Sequence, residues 1–187
     1  ANFRKPIILS TGMNTIKSIS KSVNILKKKK VNFALLHCIS EYPANIKKLN
    51  LDFINVLKKK FPNTIIGYSD HAKGIIPAIS AMSKGALIIE KHFTDTKKRS
   101  GPDIICSMDP NELKLLKESS KQIFYSNGSK RIISPIEKIT AKFAFSSVVS
   151  IKDIMPGEKF SEKNIWVKRP GTGYFEASQF DKILGKK

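Results

Sequence analysis

Short, nearly continuous apolar runs alternate with longer amphipathic segments through the first two thirds of the chain. The runs are Pro6–Ser10, Val31–Cys38, Thr64–Ser69 and Ala86–Glu90, and each reads as a strand buried on both faces. Between them, residues 16–29 set Ile16, Ile19, Val23 and Leu26 at helical spacing, and residues 51–60 set Leu51, Ile54 and Leu57 on one face. A third helix is predicted over Ile75–Lys84, ended by Gly85. A fourth begins at Asp109, with Asp109 as N-cap and Pro110 in the first helical position. The order βαβαβαβα predicts a parallel sheet covered by helices, either half of a TIM barrel or a small doubly wound sheet. No GxGxxG or GxxxxGK[ST] loop follows any strand, so nucleotide binding has no motif behind it.

The pattern changes after Tyr125. Residues 126–131 are polar and turn-rich, and from Phe143 onward short β-like runs alternate with turns: Phe145–Ile151, then Met155-Pro156-Gly157, then Ile165-Trp166-Val167. Three parts are expected: residues 1–126, a linker over 127–142, and a small β-rich domain over 143–187.

Composition narrows the class. Of 187 residues 41% are hydrophobic and 26% charged, enough apolar material for a packed core and against overall disorder. No apolar run approaches the roughly 20 residues of a membrane span. The first six residues lack the layout of a signal peptide. The two cysteines, Cys38 and Cys106, form no CxxC, so neither a disulfide framework nor a zinc knuckle is expected. Together these point to the cytoplasm, and the missing initiator Met to a chain that begins partway through a larger protein.

The net charge of +19 invites a nucleic-acid reading. Only four basic residues are arginine (Arg4, Arg99, Arg131, Arg169), which leaves 30 lysines. Bidentate readout favours arginine. Lys27–Lys30 and Lys58–Lys60 instead fall at predicted helix C-termini, where they complement the helix dipole. A solvated basic surface is the better reading, with no nucleic acid and no membrane as partner.

Chemistry-bearing residues gather at the C-terminal ends of the strands, where parallel α/β folds place their active sites. Strand one ends in Ser10-Thr11-Gly12, strand two in His37-Cys38-Ile39-Ser40-Glu41-Tyr42, strand three in Ser69-Asp70-His71 and strand four in Glu90-Lys91-His92. Residues two apart share a face, so Ser69 pairs with His71 and Glu90 with His92. If strands three and four are neighbours, His71 and His92 can meet one divalent ion, with Glu90 beside them. The pattern alone leaves open whether these histidines are ligands or satisfied end-of-strand residues. Lys91 should point outward to the helices. Cys106 has no evident histidine partner by spacing, so a thiol nucleophile is rejected.

Several of these stretches resemble a known family. Leu35-Leu36-His37-Cys38 leading to Tyr42-Pro43, Ile66-Gly67-Tyr68-Ser69-Asp70-His71, Ile89-Glu90-Lys91-His92-Phe93-Thr94 and Gly101-Pro102-Asp103 are similar to the bacterial sialic acid synthases, the phosphoenolpyruvate-condensing nonulosonate synthases. Lys5 to Met13 resembles an upstream strand of that family, and Trp166 to Gly171 the start of its antifreeze-like (SAF) domain. The resemblance implies strands five to eight of a (β/α)8 TIM barrel, a linker and part of an SAF domain. A fragment lacking the first half-barrel is expected to be inactive alone.

The implied reaction condenses phosphoenolpyruvate with open-chain N-acetylmannosamine to give N-acetylneuraminate and phosphate. The implied cofactor is a divalent metal, Mn or Mg, that polarises the sugar aldehyde. Carried over by position, His71 and His92 hold the metal, and Glu90 serves as acid/base or water-orienting group. Ser10, Ser40 and Ser69 contact phosphoenolpyruvate, and Tyr42 and Asp103 contact the sugar. Phe143 lines the site, and Arg169 holds the N-acetyl group in the partner subunit of a domain-swapped homodimer. Ser40 departs from the Asn of several sialic acid synthases, and Ser40-Glu41-Tyr42-Pro43 is similar to relatives that make legionaminic or pseudaminic acid. The stretches Gly101–Ile104, Cys106–Met108 and Trp166–Gly171 lean toward N-acetylneuraminate, which is expected ahead. The competing readings are a basic nucleic-acid module and a non-catalytic assembly segment.

Overall fold

The structure, a computed structural model, describes residues 5–187. The first four residues, on which the absence of a signal layout partly rests, lie outside that range. The chain divides into two compact units, Ala1–Asn127 and Gly128–Lys187.

In the first unit β1 (Ile7–Ser10), α1 (Ile16–Lys28), β2 (Phe33–Cys38), α2 (Phe53–Lys60), β3 (Ile65–Asp70), α3 (Ile76–Ser83), β4 (Ile89–Lys91) and α4 (Pro110–Ser126) follow one another. All four strands are parallel, and their order in the sheet is β1-β2-β3-β4. That order decides between the two expected architectures. A doubly wound sheet reverses direction at a switch point, whereas barrel strands follow in sequence. The unit is therefore half of a TIM barrel.

The sheet is also curled. Laid flat, β1 and β4 would stand roughly 14 Å apart, three strand spacings. Yet Ser10 Oγ on β1 donates to Glu90 Oε2 on β4 over 3.1 Å. Only a sheet bent toward that face brings the two side chains together.

Helices cover the outer face. Ile19 and Val23 of α1 and Ile54 and Leu57 of α2 pack with Leu35, Ile66 and Tyr68 of the sheet into one core. Ile75, Ala78, Met108 and Leu116 form a second cluster. The opposite face carries Ile8 and Ile65, 59% and 50% exposed. The helix ends follow the sequence signals. Lys27 and Lys28 occupy the last turn of α1 and Lys58 to Lys60 that of α2. Asp109 and Glu112 form a reciprocal capping box at α4, with Pro110 at its start.

Gly67 packs against Ile88, the residue just before β4. A Cβ there would collide with the Ile88 carbonyl oxygen and with the Leu36 side chain, and backbone cannot step aside. Gly67→Ala is therefore expected to cost about 1–3 kcal/mol, read as a lowered urea midpoint. An unchanged midpoint would contradict this packing.

The second unit holds α5 (Pro135–Ala144), then β5 (Ser147–Ser150), β6 (Ile165–Lys168), β7 (Phe175–Glu176) and α6 (Phe180–Ile183). Its sheet is antiparallel with order β6-β5-β7, packed on Val148, Ile165 and Ile183. The helix α5 falls largely within the stretch expected to be a linker. Its signal was present in the sequence: Ser134 and Glu137 form a capping box around Pro135.

Candidate functional site

Alternation sorts the ends of β3 and β4 onto two faces. Tyr68 belongs to the helix-side core, and Asp70 and Lys91 share its face. Ser69, His71, Glu90 and His92 take the other face. The strands pair with Ser69 opposite Glu90 and Asp70 opposite Lys91. The pairing that the metal reading required is thus present.

His71 is buried, and its orientation is fixed by an acceptor. Its Nδ1 lies 3.0 Å from the Ile39 carbonyl oxygen, which can only accept, so Nδ1 carries the proton and Nε2 keeps its lone pair. The Tyr42 ring lies against it with centroids 4.1 Å apart. The His71 and His92 rings meet edge to face with centroids 5.4 Å apart, and Tyr42 lies 5.9 Å from His92. The loop carrying Tyr42 is pinned where the Ala44 amide donates to the His71 carbonyl over 2.9 Å.

Asp103 and Cys106 arrive from the segment after β4. The Met108 amide donates to the His92 carbonyl over 2.8 Å, and the Thr94 amide to the Met108 carbonyl over 2.9 Å. That parallel bridge lays the 103–108 turn beside His92. Asp103 Oδ2 lies 3.8 Å from His92 Nδ1. Ligand atoms of His92, Asp103 and Cys106 all lie within 4.8 Å of one another. Sequence spacing gave Cys106 no histidine partner, and the fold corrects this. The bridge between Phe93 and Met108 supplies one. Rejection of a thiol nucleophile has independent support. Burial first, then the Asp103 charge, pushes the Cys106 thiol up, and its Sγ donates to the Asp103 carbonyl over 3.2 Å.

Glu90 is exposed on the same face and accepts from Ser10, outside the His92 trio. Ser69 is buried, between Cys38 and Glu90 in the register. Ser40 closes on Gly12 so tightly that a Cβ at Gly12 would collide with its Oγ. Tyr42 is half exposed, and partial desolvation, then the neighbouring Cys38 and Asp103, push its phenol up, so it remains a proton donor. Phe143 (in α5) and Arg169 (just after β6) belong to the second unit, and both are exposed.

The third histidine plays another part. His37 Nε2 donates to the Leu49 carbonyl over 2.7 Å, between Phe53 and Tyr68. Burial pushes its pKa below the ordinary 6.5, although the bond to Leu49 opposes this. The unfolded chain then binds a proton that the folded chain refuses. Stability contributed by His37 is complete above pH 6.5 and falls as pH drops toward the folded pKa, by at most about 1.4 kcal/mol per pH unit. Urea midpoints at pH 7.5 and 5.5 should show this slope, and His37→Gln should flatten it.

Sequence reasoning placed Lys91 on the outer face but missed its partner. Lys91 Nζ donates to Asp70 Oδ2 over 2.9 Å and to the Ala72 carbonyl over 2.7 Å, and both charged side chains are fully buried. Asp70 Oδ1 accepts from the Ala72 amide and the Tyr68 hydroxyl over 2.9 and 3.2 Å.

Among the described residues, the ligand atoms that converge are those of His92, Asp103 and Cys106, and the His71 ring, its centroid 5.4 Å from that of His92, lies outside that trio. An imidazole and a carboxylate suit a divalent ion. Cys106, held as a neutral thiol, adds little for a hard ion.

Comparison with known proteins agrees with the fold of the two units. Residues 1–132 match the NeuB family and residues 145–187 the SAF domain. An N,N'-diacetyllegionaminic acid synthase of Campylobacter jejuni is 42% identical over the whole chain and 56% of its own length. An N-acetylneuraminate-9-phosphate synthase of Drosophila melanogaster is 43% identical over 62% of this chain and 32% of its own. A crystal structure of N-acetylneuraminic acid synthetase from Leptospira borgpetersenii, with citrate, aligns at TM-score 0.68 and 39% identity. It covers 75% of this chain and 50% of that one. The chain spans about half the length of the full-coverage relatives. With matches across both units, the chain belongs to the NeuB family of sialic, legionaminic and pseudaminic acid synthases and carries an SAF domain.

Proposed function

We propose that the protein encoded by this reading frame condenses phosphoenolpyruvate with the open-chain aldehyde of a 2-acetamido sugar, giving a nonulosonic acid and phosphate. The observation that carries this is the cluster of His71, His92, Asp103 and Tyr42 at the C-terminal end of the half-barrel. His71 and His92 would hold a divalent ion, which would supply Lewis acidity for the carbonyl addition.

The remaining work falls to side chains. C3 of phosphoenolpyruvate forms the new carbon–carbon bond with the aldehyde carbon, whose oxygen takes up a proton. Water adds to C2, and the bond from C2 to the phosphate oxygen breaks. Tyr42, kept protonated, can donate to a sugar oxygen. Glu90, oriented by Ser10, can take the proton from the attacking water. Ser10, Ser40 and Ser69 offer hydroxyls to the anionic substrate, and Asp103 offers acceptors to sugar hydroxyls.

Two acceptors compete. The sequence motifs lean toward N-acetylmannosamine. The 42% identity of the C. jejuni N,N'-diacetyllegionaminic acid synthase across the whole chain, with the Ser40-Glu41-Tyr42-Pro43 stretch, favours a 2,4-diacetamido sugar. The test is phosphate release from phosphoenolpyruvate with Mn2+ by the protein of the complete reading frame, offering each sugar in turn. Release with either sugar supports the reaction, and the preferred one names the branch. No release with any acetamido sugar would overturn it.

A further inference from the structure

We propose that the buried Asp70–Lys91 pair is a positioning device that sets the two imidazoles of the site in register. Its relevance to a metal rests on the functional reading above. Asp70 immediately precedes His71, and Lys91 immediately precedes His92. The two stand opposite each other in the β3–β4 pairing, with both side chains fully buried.

The pair grips more than its own charges. Asp70 Oδ1 takes the amide of Ala72 and Lys91 Nζ takes its carbonyl. Both polar groups of the residue after His71 are thereby held from the helix side. His71 itself is held twice more, through its ring to the Ile39 carbonyl and through its carbonyl to the Ala44 amide. On β4 the same ammonium group anchors the residue before His92, whose carbonyl carries the Met108 bridge. One ion pair thus ties the backbones of both imidazoles to each other, and through Met108 to the turn bearing Asp103. A pair serving stability alone needs no such placement, because buried ion pairs are often replaceable by neutral groups at little cost. Here that replaceability supplies the test.

Asp70→Asn/Lys91→Met removes both charges and keeps an acceptor oxygen for the Ala72 amide and the Tyr68 hydroxyl. It is expected to melt near the wild type while binding Mn2+ about 10–100-fold more weakly by electron paramagnetic resonance, the usual cost of losing outer-shell support. Long-range proton–nitrogen NMR of the metal-free protein should show His71 passing from a single Nδ1–H tautomer to an averaged signal. Asp70→Asn/Lys91→Gln, which also removes both charges and keeps an amide donor for the Ala72 carbonyl, serves should the first double variant fold poorly, and it is expected to weaken Mn2+ binding in the same direction. Unchanged Mn2+ affinity and an unchanged His71 tautomer in variants that fold would overturn the proposal. A wild type that binds no Mn2+ would instead sink the metal reading, and the tautomer measurement would still decide the positioning role.

Discussion

His71→Ala is expected to lower phosphate release by about 10²–10³-fold, above the roughly 10–100-fold cost of losing an outer-shell partner. The size follows from the place of the ring. His71 is buried, carries its proton on Nδ1 toward Ile39 and holds Nε2 free. Its ring centroid lies 4.1 Å from that of Tyr42 and 5.4 Å from that of His92, so its loss removes a wall of the cluster together with the proposed metal ligand. The fold should survive, because the Ala44 amide bonds to the backbone of residue 71 and not to its ring. His37→Gln is the control. That ring faces the helices, and a glutamine amide can still donate to the Leu49 carbonyl, so turnover should stay within about 2–3-fold of wild type, since the ring takes no part in positioning the reacting groups. Equal losses from both substitutions would mean that His71 acts only through stability.

The strand ends were legible because side-chain parity is strict in a sheet. Once β3 and β4 pair, His71 and His92 must share a face, and Lys91 must leave it. The hydrophobic pattern alone left the half-barrel and the doubly wound sheet open, and the family resemblance pointed to the half-barrel that the structure shows. The difference lies in strand order, which depends on nonlocal packing. Asp103 and Cys106 illustrate the same limit. Their approach to His92 depends on the bridge between Phe93 and Met108, 15 residues apart, which no local period encodes. The helix at Pro135–Ala144 is a different case. Its capping box could be read directly, but the polar run just before it drew the segment into a linker. Asp70 and Lys91 were also within reach, as opposite charges of equal parity on neighbouring strands, each inside a mainly apolar run.

The second large effect belongs to that pair. Lys91→Met alone is expected to destabilise the first unit by about 3–5 kcal/mol, the usual cost of stripping one partner from a buried ion pair. Lys91 is the cation paired with Asp70 among the described residues, and the Asp70 side chain has no exposed surface through which water could substitute. The two donors that remain to it, the Tyr68 hydroxyl and the Ala72 amide, are dipoles and not charges. The Ala72 carbonyl loses its ammonium donor at the same time. Urea unfolding at neutral pH, followed by circular dichroism, measures the loss. Adding Asp70→Asn to Lys91→Met should recover most of it, because the second change removes the orphaned charge while leaving an acceptor for both dipoles. The double-mutant cycle should then show a coupling energy at least as large as that recovery, at or above the upper end of the roughly 0.5–3 kcal/mol found for residues of one network. Simple additivity would mean that the two charges do not act as a unit, and the clamp on the residue after His71 would lose its energetic basis.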